Sequence, residues 1–149
     1  MADVKQSIKI SYVILFIMMV VGLAYALMAL ISPQMVVMRP FQGFTGQSWL
    51  TFVAASPTLS KYILLIERMA GGLGLAVGIG GLFVLMTAFR KAEKWAWWYV
   101  LVVGIIAWVN NLIPNLIVKN TMNTTIIIIG LVLIIIGLII PAKDFFSKK

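Results

Sequence analysis

Four uncharged apolar runs, Ile10 to Ile31, Ala70 to Phe89, Trp95 to Val118 and Met122 to Ile140, leave this chain few folds to choose from. A helix needs roughly 20 residues to cross a hydrocarbon core of about 30 Å, and each run has that length. Backbone in hydrocarbon must satisfy its own hydrogen bonds, so such runs are helices or strands of a closed barrel. Barrel strands are about 10 residues long with apolar and polar positions alternating, and no such alternation is present. The expectation is an all-α integral membrane four-helix bundle. It forms one domain over 1–149, with helices at about 10–31, 57–89, 95–118 and 122–140. Composition agrees, with 62% of residues hydrophobic and 11% charged, against about 25% charged in soluble chains.

Lys5 and Lys9 precede the first run, and Ala24-Tyr25-Ala26 has the small-x-small form of a leader cleavage site. The run continues through Leu27, Met28, Leu30 and Ile31, longer than a leader core, so it reads as a membrane anchor. Lys and Arg concentrate on the cytoplasmic side of membrane proteins. Lys5 and Lys9, then Arg90, Lys91 and Lys94, then Lys143, Lys148 and Lys149 must share one side, while Arg39, Lys61 and Lys119 lie on the other. This predicts a multi-pass protein of the plasma membrane with both termini cytoplasmic. Trp95, Trp97 and Trp98, beside Lys94, are expected as interfacial anchors. The net charge of +8 then reflects topology and attraction to anionic headgroups of the lipid bilayer, with no nucleic acid as partner.

The chain has no cysteine and no histidine. Disulfides, thiol nucleophiles and thiolate metal sites are excluded together, and no imidazole is present for proton transfer or metal ligation. The reading is therefore non-enzymatic, with no catalytic residues, no metal and no cofactor.

The connection from Ser32 to Ser60 is too apolar for a plain linker. Pro40, Gly43 and Gly46 are expected to break it. Trp49, Leu50, Phe52 and Val53 then recur at helical spacing beside Gln47, Ser48 and Thr51. That pattern predicts a short interfacial helix in the first extracytoplasmic loop, anchored by Trp49 and Phe52. It reads either as a lid resting on lipid or as a docking surface or gate. Ser56-Pro57 has the form of an N-cap followed by proline at the first helical position. A helix from there to Phe89 spans about 33 residues, roughly 50 Å, so it is expected to protrude, tilt or kink, with Gly71-Gly72 the natural place for a kink.

On that helix Glu67, Gly71, Gly74, Gly78 and Gly81 fall on one face. Glycine stripes let helix backbones approach closely, so the expectation is tight packing within the bundle or between protomers. The alternative is a narrow slot for a lipid-like molecule. Ionisable groups at membrane depth are functional candidates, and Glu67 and Arg68 qualify. Counting from Arg90 places Glu67 about 34 Å along the helix, at the outer interface. Adjacent helical residues do not face one another, so Arg68 needs a partner elsewhere. The next helix offers Asn110, Asn111 and Asn115, with Pro114 among them, and Asn115 stands nearly level with Arg68 if the two helices run antiparallel. A polar cluster of Tyr25, Glu67, Arg68, Asn111 and Asn115 is the candidate site, serving as hydrogen-bonding glue or as a ligand site. The last helix has no polar side chain between Ile126 and Ile140, so it is expected to face lipid or an apolar partner, with Gly130 tolerating bulk better than Gly74 or Gly78.

The run Arg68 to Gly74, with Ala88-Phe89-Arg90-Lys91-Ala92-Glu93-Lys94-Trp95-Ala96-Trp97-Trp98, resembles the second helix and basic-aromatic connection of small four-helix prokaryotic membrane proteins of the DoxX-like group. The resemblance covers about the middle third of the chain. It implies a four-helix bundle and carries over no catalytic residue. The leading expectation is an accessory subunit packed against other membrane protein subunits, or a homo-oligomer. The alternatives are a binder or carrier of a small lipophilic molecule and, more remotely, a small transporter or channel.

Overall fold

The computed structural model describes residues 5–119 and 121–147. They form α1 (Gln6–Ile31), α2 (Pro33–Thr45), α3 (Trp49–Ala55), α4 (Pro57–Val84), α5 (Lys94–Ile117), α6 (Thr121–Ile139) and α7 (Ala142–Phe146). A π-helical turn at Leu85–Phe89 continues α4, and no strand occurs among the described residues. Gln6–Ile31, Pro57–Phe89 and Lys94–Ile117 are long and apolar enough to cross a membrane, and Asn123–Ile139 is a shorter apolar helix.

Helix α1 is the hub. It packs along α4 on one side and on α6 on the other, α6 packs on α5, and α5 meets the α4 line chiefly at the π-turn. The glycine stripe sets the α1–α4 contact. A methyl group added at Gly71 would lie 2.7 Å from the Leu30 amide nitrogen and 2.9 Å from the Ala26 carbonyl oxygen. Gly74 faces Ala26, Gly78 faces Leu23 and Gly81 faces Met19, so α1 and α4 run antiparallel with backbones close.

Helix α4 keeps its α-helical assignment through Gly71 and Gly72, where Gly71 lies against the α1 backbone. The irregularity falls instead at Leu85–Phe89. An inserted residue rotates the faces of a helix beyond it, and the turn carries Leu85, Ala88 and Phe89 into the core. Around them gather Ile8 and Leu15 of α1, Ala96 and Val100 of α5, Ile134 and Leu138 of α6 and Phe145 of α7. The core thus lies at the end of the bundle where α1 begins and α7 packs.

Helix α6 takes the apolar-partner alternative, and Gly130 is not the open position expected of it. Gly130 lies against the Trp108 ring, Gly137 against Leu15 and Ile14, and Ile134 and Leu138 are buried. Apolar side chains are equally at home in lipid and in a core, so composition alone did not distinguish the two.

At the opposite end, α2 runs as a helix through Pro40 and Gly43, where a break was expected, and stops at Gly46 with φ 73°. Proline removes one hydrogen bond, but Val36, Val37, Pro40 and Phe41 form a half-buried stripe whose packing holds the helix. Gly43 approaches the Val118 carbonyl oxygen, so α2 crosses from α1 and α4 to the α5–α6 connection. Helix α3 begins at Ser48, whose hydroxyl accepts from the Thr51 amide at 3.1 Å. Trp49 is buried beside Phe41, with ring centroids 5.1 Å apart, and Phe52 completes the cluster. Pro57 takes the first position of α4, but the Ser56 hydroxyl makes no capping bond; the hydroxyl of buried Ser60 donates to the Pro57 carbonyl at 2.9 Å.

Candidate functional site

Tyr25, Glu67, Arg68, Asn111 and Asn115 do not assemble into one cluster. Tyr25 on α1 lies in the neighbourhood of Glu67 on α4, and Glu67 is half-buried. Arg68 lies one residue on, about 100° around the helix from the glycine stripe. It is exposed, and among the described residues it has no hydrogen bond or ion pair. Asparagines of α5 turn to their own helix: the Asn111 amide donates to the Ala107 carbonyl at 2.8 Å and the Asn115 amide to the Asn111 carbonyl at 2.9 Å. The expected Arg68–Asn115 contact fails because the neighbour of α4 along its length is α1, not α5.

What the fold presents instead is an uncovered helix face. No residue of α5 from Leu101 to Ile117 is buried, and Asn110 and Asn111 are exposed between Ile106, Ile113 and Ile117. Pro114 has no N–H to give the Asn110 carbonyl. The Asn115 side-chain oxygen is shielded from solvent and receives no hydrogen bond. Amide donors and acceptors therefore line a helix that is otherwise apolar.

At the terminal end, a polar latch joins residues far apart in sequence. Lys5 Nζ donates to Asp144 Oδ1 at 2.7 Å, and the Ser7 hydroxyl donates to Asp144 Oδ2. Those hydrogen bonds, from Lys5 first and Ser7 second, hold the Asp144 carboxyl below its usual range. Phe145 and Phe89 pack with their rings tilted 50° and centroids 4.8 Å apart, next to the latch residue Asp144. The Trp97 indole donates to the Leu138 carbonyl at 2.9 Å and packs edge-on against Trp98 and Phe146. Trp95 donates to Glu93 Oε2 at 2.6 Å, and the Arg90 guanidinium lies 5.4 Å from the Tyr12 ring centroid. Sequence reasoning missed this latch, because nothing in a separation of 139 residues marks Lys5 and Asp144 as partners.

A third feature is an open strip of α4 surface bordered by Lys61, Leu64, Leu65 and Arg68. The sequence identified Arg68 but not its companion seven residues earlier. Among the described residues no group of three or more acidic side chains is placed to hold a metal ion.

No protein-family model, no curated protein and no solved structure matches this chain.

Proposed function

We propose that this is a multi-pass plasma-membrane protein without enzymatic activity, an accessory subunit that packs α5 against the transmembrane helix of a larger membrane complex. The observation that carries the reading is the uncovered α5 face with Asn110 and Asn111 on it. Counting from Lys94, Asn110 lies about 24 Å along the helix, inside a core of about 30 Å. Polar side chains at that depth turn toward protein, and amide bonds between membrane helices contribute about 0.6 to 2 kcal/mol each. The partner is therefore a membrane helix carrying small or hydrogen-bonding side chains at the level of Asn110.

The same proposal makes α6 a fourth crossing, since its 19 residues reach about 28 Å at 1.5 Å per residue. Lys5, Lys9, Arg90, Lys91, Lys94 and Lys143 mark the cytoplasmic end, and α2 and α3 lie in the opposite interface. The DoxX-like resemblance adds only the bundle.

Photo-crosslinking in native membranes tests the reading. A benzophenone side chain at Ile106 or Asn110 should give one adduct of defined mass, heavier than two copies of the chain, and one at Val21 on exposed α1 should not. Adducts the size of a homodimer, or none from α5, would refute the accessory role.

A further inference from the structure

Arg90 closes the π-turn that continues α4, and its guanidinium lies over the ring of Tyr12 on α1, 5.4 Å from the centroid. Helical side chains lean toward the helix N-terminus, so the Tyr12 ring covers the turn of α1 that holds Lys9. Lys9 precedes Tyr12 by one turn, about 4.5 Å along the axis and about 60° around it. The ring contact therefore fixes the Arg90 guanidinium beside the root of Lys9, and both cationic side chains are exposed. Among the described residues the carboxylates of this end are Glu93 and Asp144. Glu93 accepts from the Trp95 indole and Asp144 from Lys5 and Ser7, and neither forms an ion pair with Arg90. From Lys9 an apolar strip runs along α1, since Val13, Phe16 and Val20 recur at helical spacing on the same face. Val13 and Val20 are exposed, and Phe16 stacks on Tyr12 with ring centroids 5.7 Å apart. Lys9 and Val13 also border a shallow apolar depression.

We propose that Arg90 and Lys9 jointly hold the phosphate of one anionic glycerophospholipid, with an acyl chain running inward along Val13, Phe16 and Val20. This rests on the membrane placement of α1 and α4 but not on the accessory-subunit reading. Depth and direction select the ligand. Lys9 directly precedes the apolar run of α1 and Arg90 directly follows that of α4, so both cations stand at the edge of the hydrocarbon, the level of lipid phosphates. Val20 lies about 17 Å inward from Lys9, close to the depth of one leaflet of a core of about 30 Å. A chain descending from the phosphate therefore has the strip beside it all the way. Guanidinium offers paired donors to phosphate oxygens while its face rests on the Tyr12 ring, and the ammonium adds a compact charge. A zwitterionic headgroup would bring its own cation to a place already positive, whereas phosphatidylglycerol brings none. The strip supplies apolar surface that inorganic phosphate does not use.

The test is native mass spectrometry of the whole chain released from nanodiscs of phosphatidylglycerol and phosphatidylcholine in equal parts. One retained phosphatidylglycerol per chain is expected over phosphatidylcholine. Lys9→Gln and Arg90→Gln, which keep a polar stem without the charge, should each lower its retention about tenfold, as loss of a charge-assisted hydrogen bond implies. Lys143→Gln removes the same charge from α7 at the same end of the bundle, and Lys61→Gln removes it at the opposite end. Both should retain lipid as the parent does, because general attraction to a positive surface is not what holds it. Any of four results would overturn the site: phosphatidylcholine retained as well as phosphatidylglycerol, parental retention in Lys9→Gln or in Arg90→Gln, an equal loss in Lys143→Gln, or displacement of the lipid by millimolar inorganic phosphate. Failure of the chain to enter the nanodisc would instead overturn the membrane placement.

Discussion

Gly130 of α6 lies against the indole ring of Trp108 on α5, with no space between them for a methyl group. The ring atoms in the way belong to a rigid bicycle and cannot rotate aside as an aliphatic tip would. Gly130→Ala should therefore destabilise the protein, at the about 1 to 3 kcal/mol typical of overpacking. Gly22→Ala, where nothing lies within 4 Å, should be neutral or better. Thermal unfolding in a mild detergent compares the two, and equal melting temperatures would contradict the packing described.

Along the α1–α4 seam the glycines should differ in tolerance. At Gly71 the nearest atoms belong to the α1 backbone, while at Gly78 and Gly81 they are the Leu23 and Met19 side chains. Flexible side chains give way and backbone does not, so Gly71→Ala should cost the most, about 1 to 3 kcal/mol, and Gly78→Ala and Gly81→Ala less. Gly72→Ala, with open space around it, should be harmless. A melting series with Gly78→Ala or Gly81→Ala below Gly71→Ala would reverse the expected order.

The Asp144 latch makes the terminal end acid-sensitive. Its carboxyl titrates lower in the folded chain than in the unfolded one. The latch is then at full strength above the unfolded value of about 3.9 and weakens as pH falls through the lower native value. Amide exchange protection of Ala142 to Phe146 should decline on acidification below about pH 4 in the parent. In Asp144→Asn it should already be reduced at pH 7 and change little with acid. Protection in the variant equal to the parent at pH 7 would show that the latch does not hold α7.

Orientation can be read by labelling single cysteines in intact cells. Ala92→Cys and Ser147→Cys should be protected from an impermeant maleimide, and Gln47→Cys should react. Reaction at position 92 would invert the arrangement.

How much of this was legible beforehand differs helix by helix. The α4 seam could be read because glycine recurs at 3.6-residue spacing from Gly71 to Gly81, and periodicity is a local property of a helix. Ile126 to Ile140 has no such contrast, so the Gly130, Ile134 and Leu138 face of α6 gave no sign of which neighbour it would meet. In the same way Pro40 predicted a break from local cost alone, while the stripe from Val36 to Phe41 that outweighs it depends on what α2 lies upon.

The sequence by itself determined the all-helical build, the apolar lengths and the gathering of Lys5, Arg90, Lys94 and Lys143 at one end, because these follow from composition, periodicity and short connections. Only the tertiary structure decided that α1 and not α5 lies along α4. That choice separates Arg68 from Asn115 and leaves the outer α5 face uncovered. It rests on which surfaces interlock, Gly71 with Ala26 and Leu30, Gly130 with Trp108, and shape complementarity between distant helices is not written in the spacing of residues within either one.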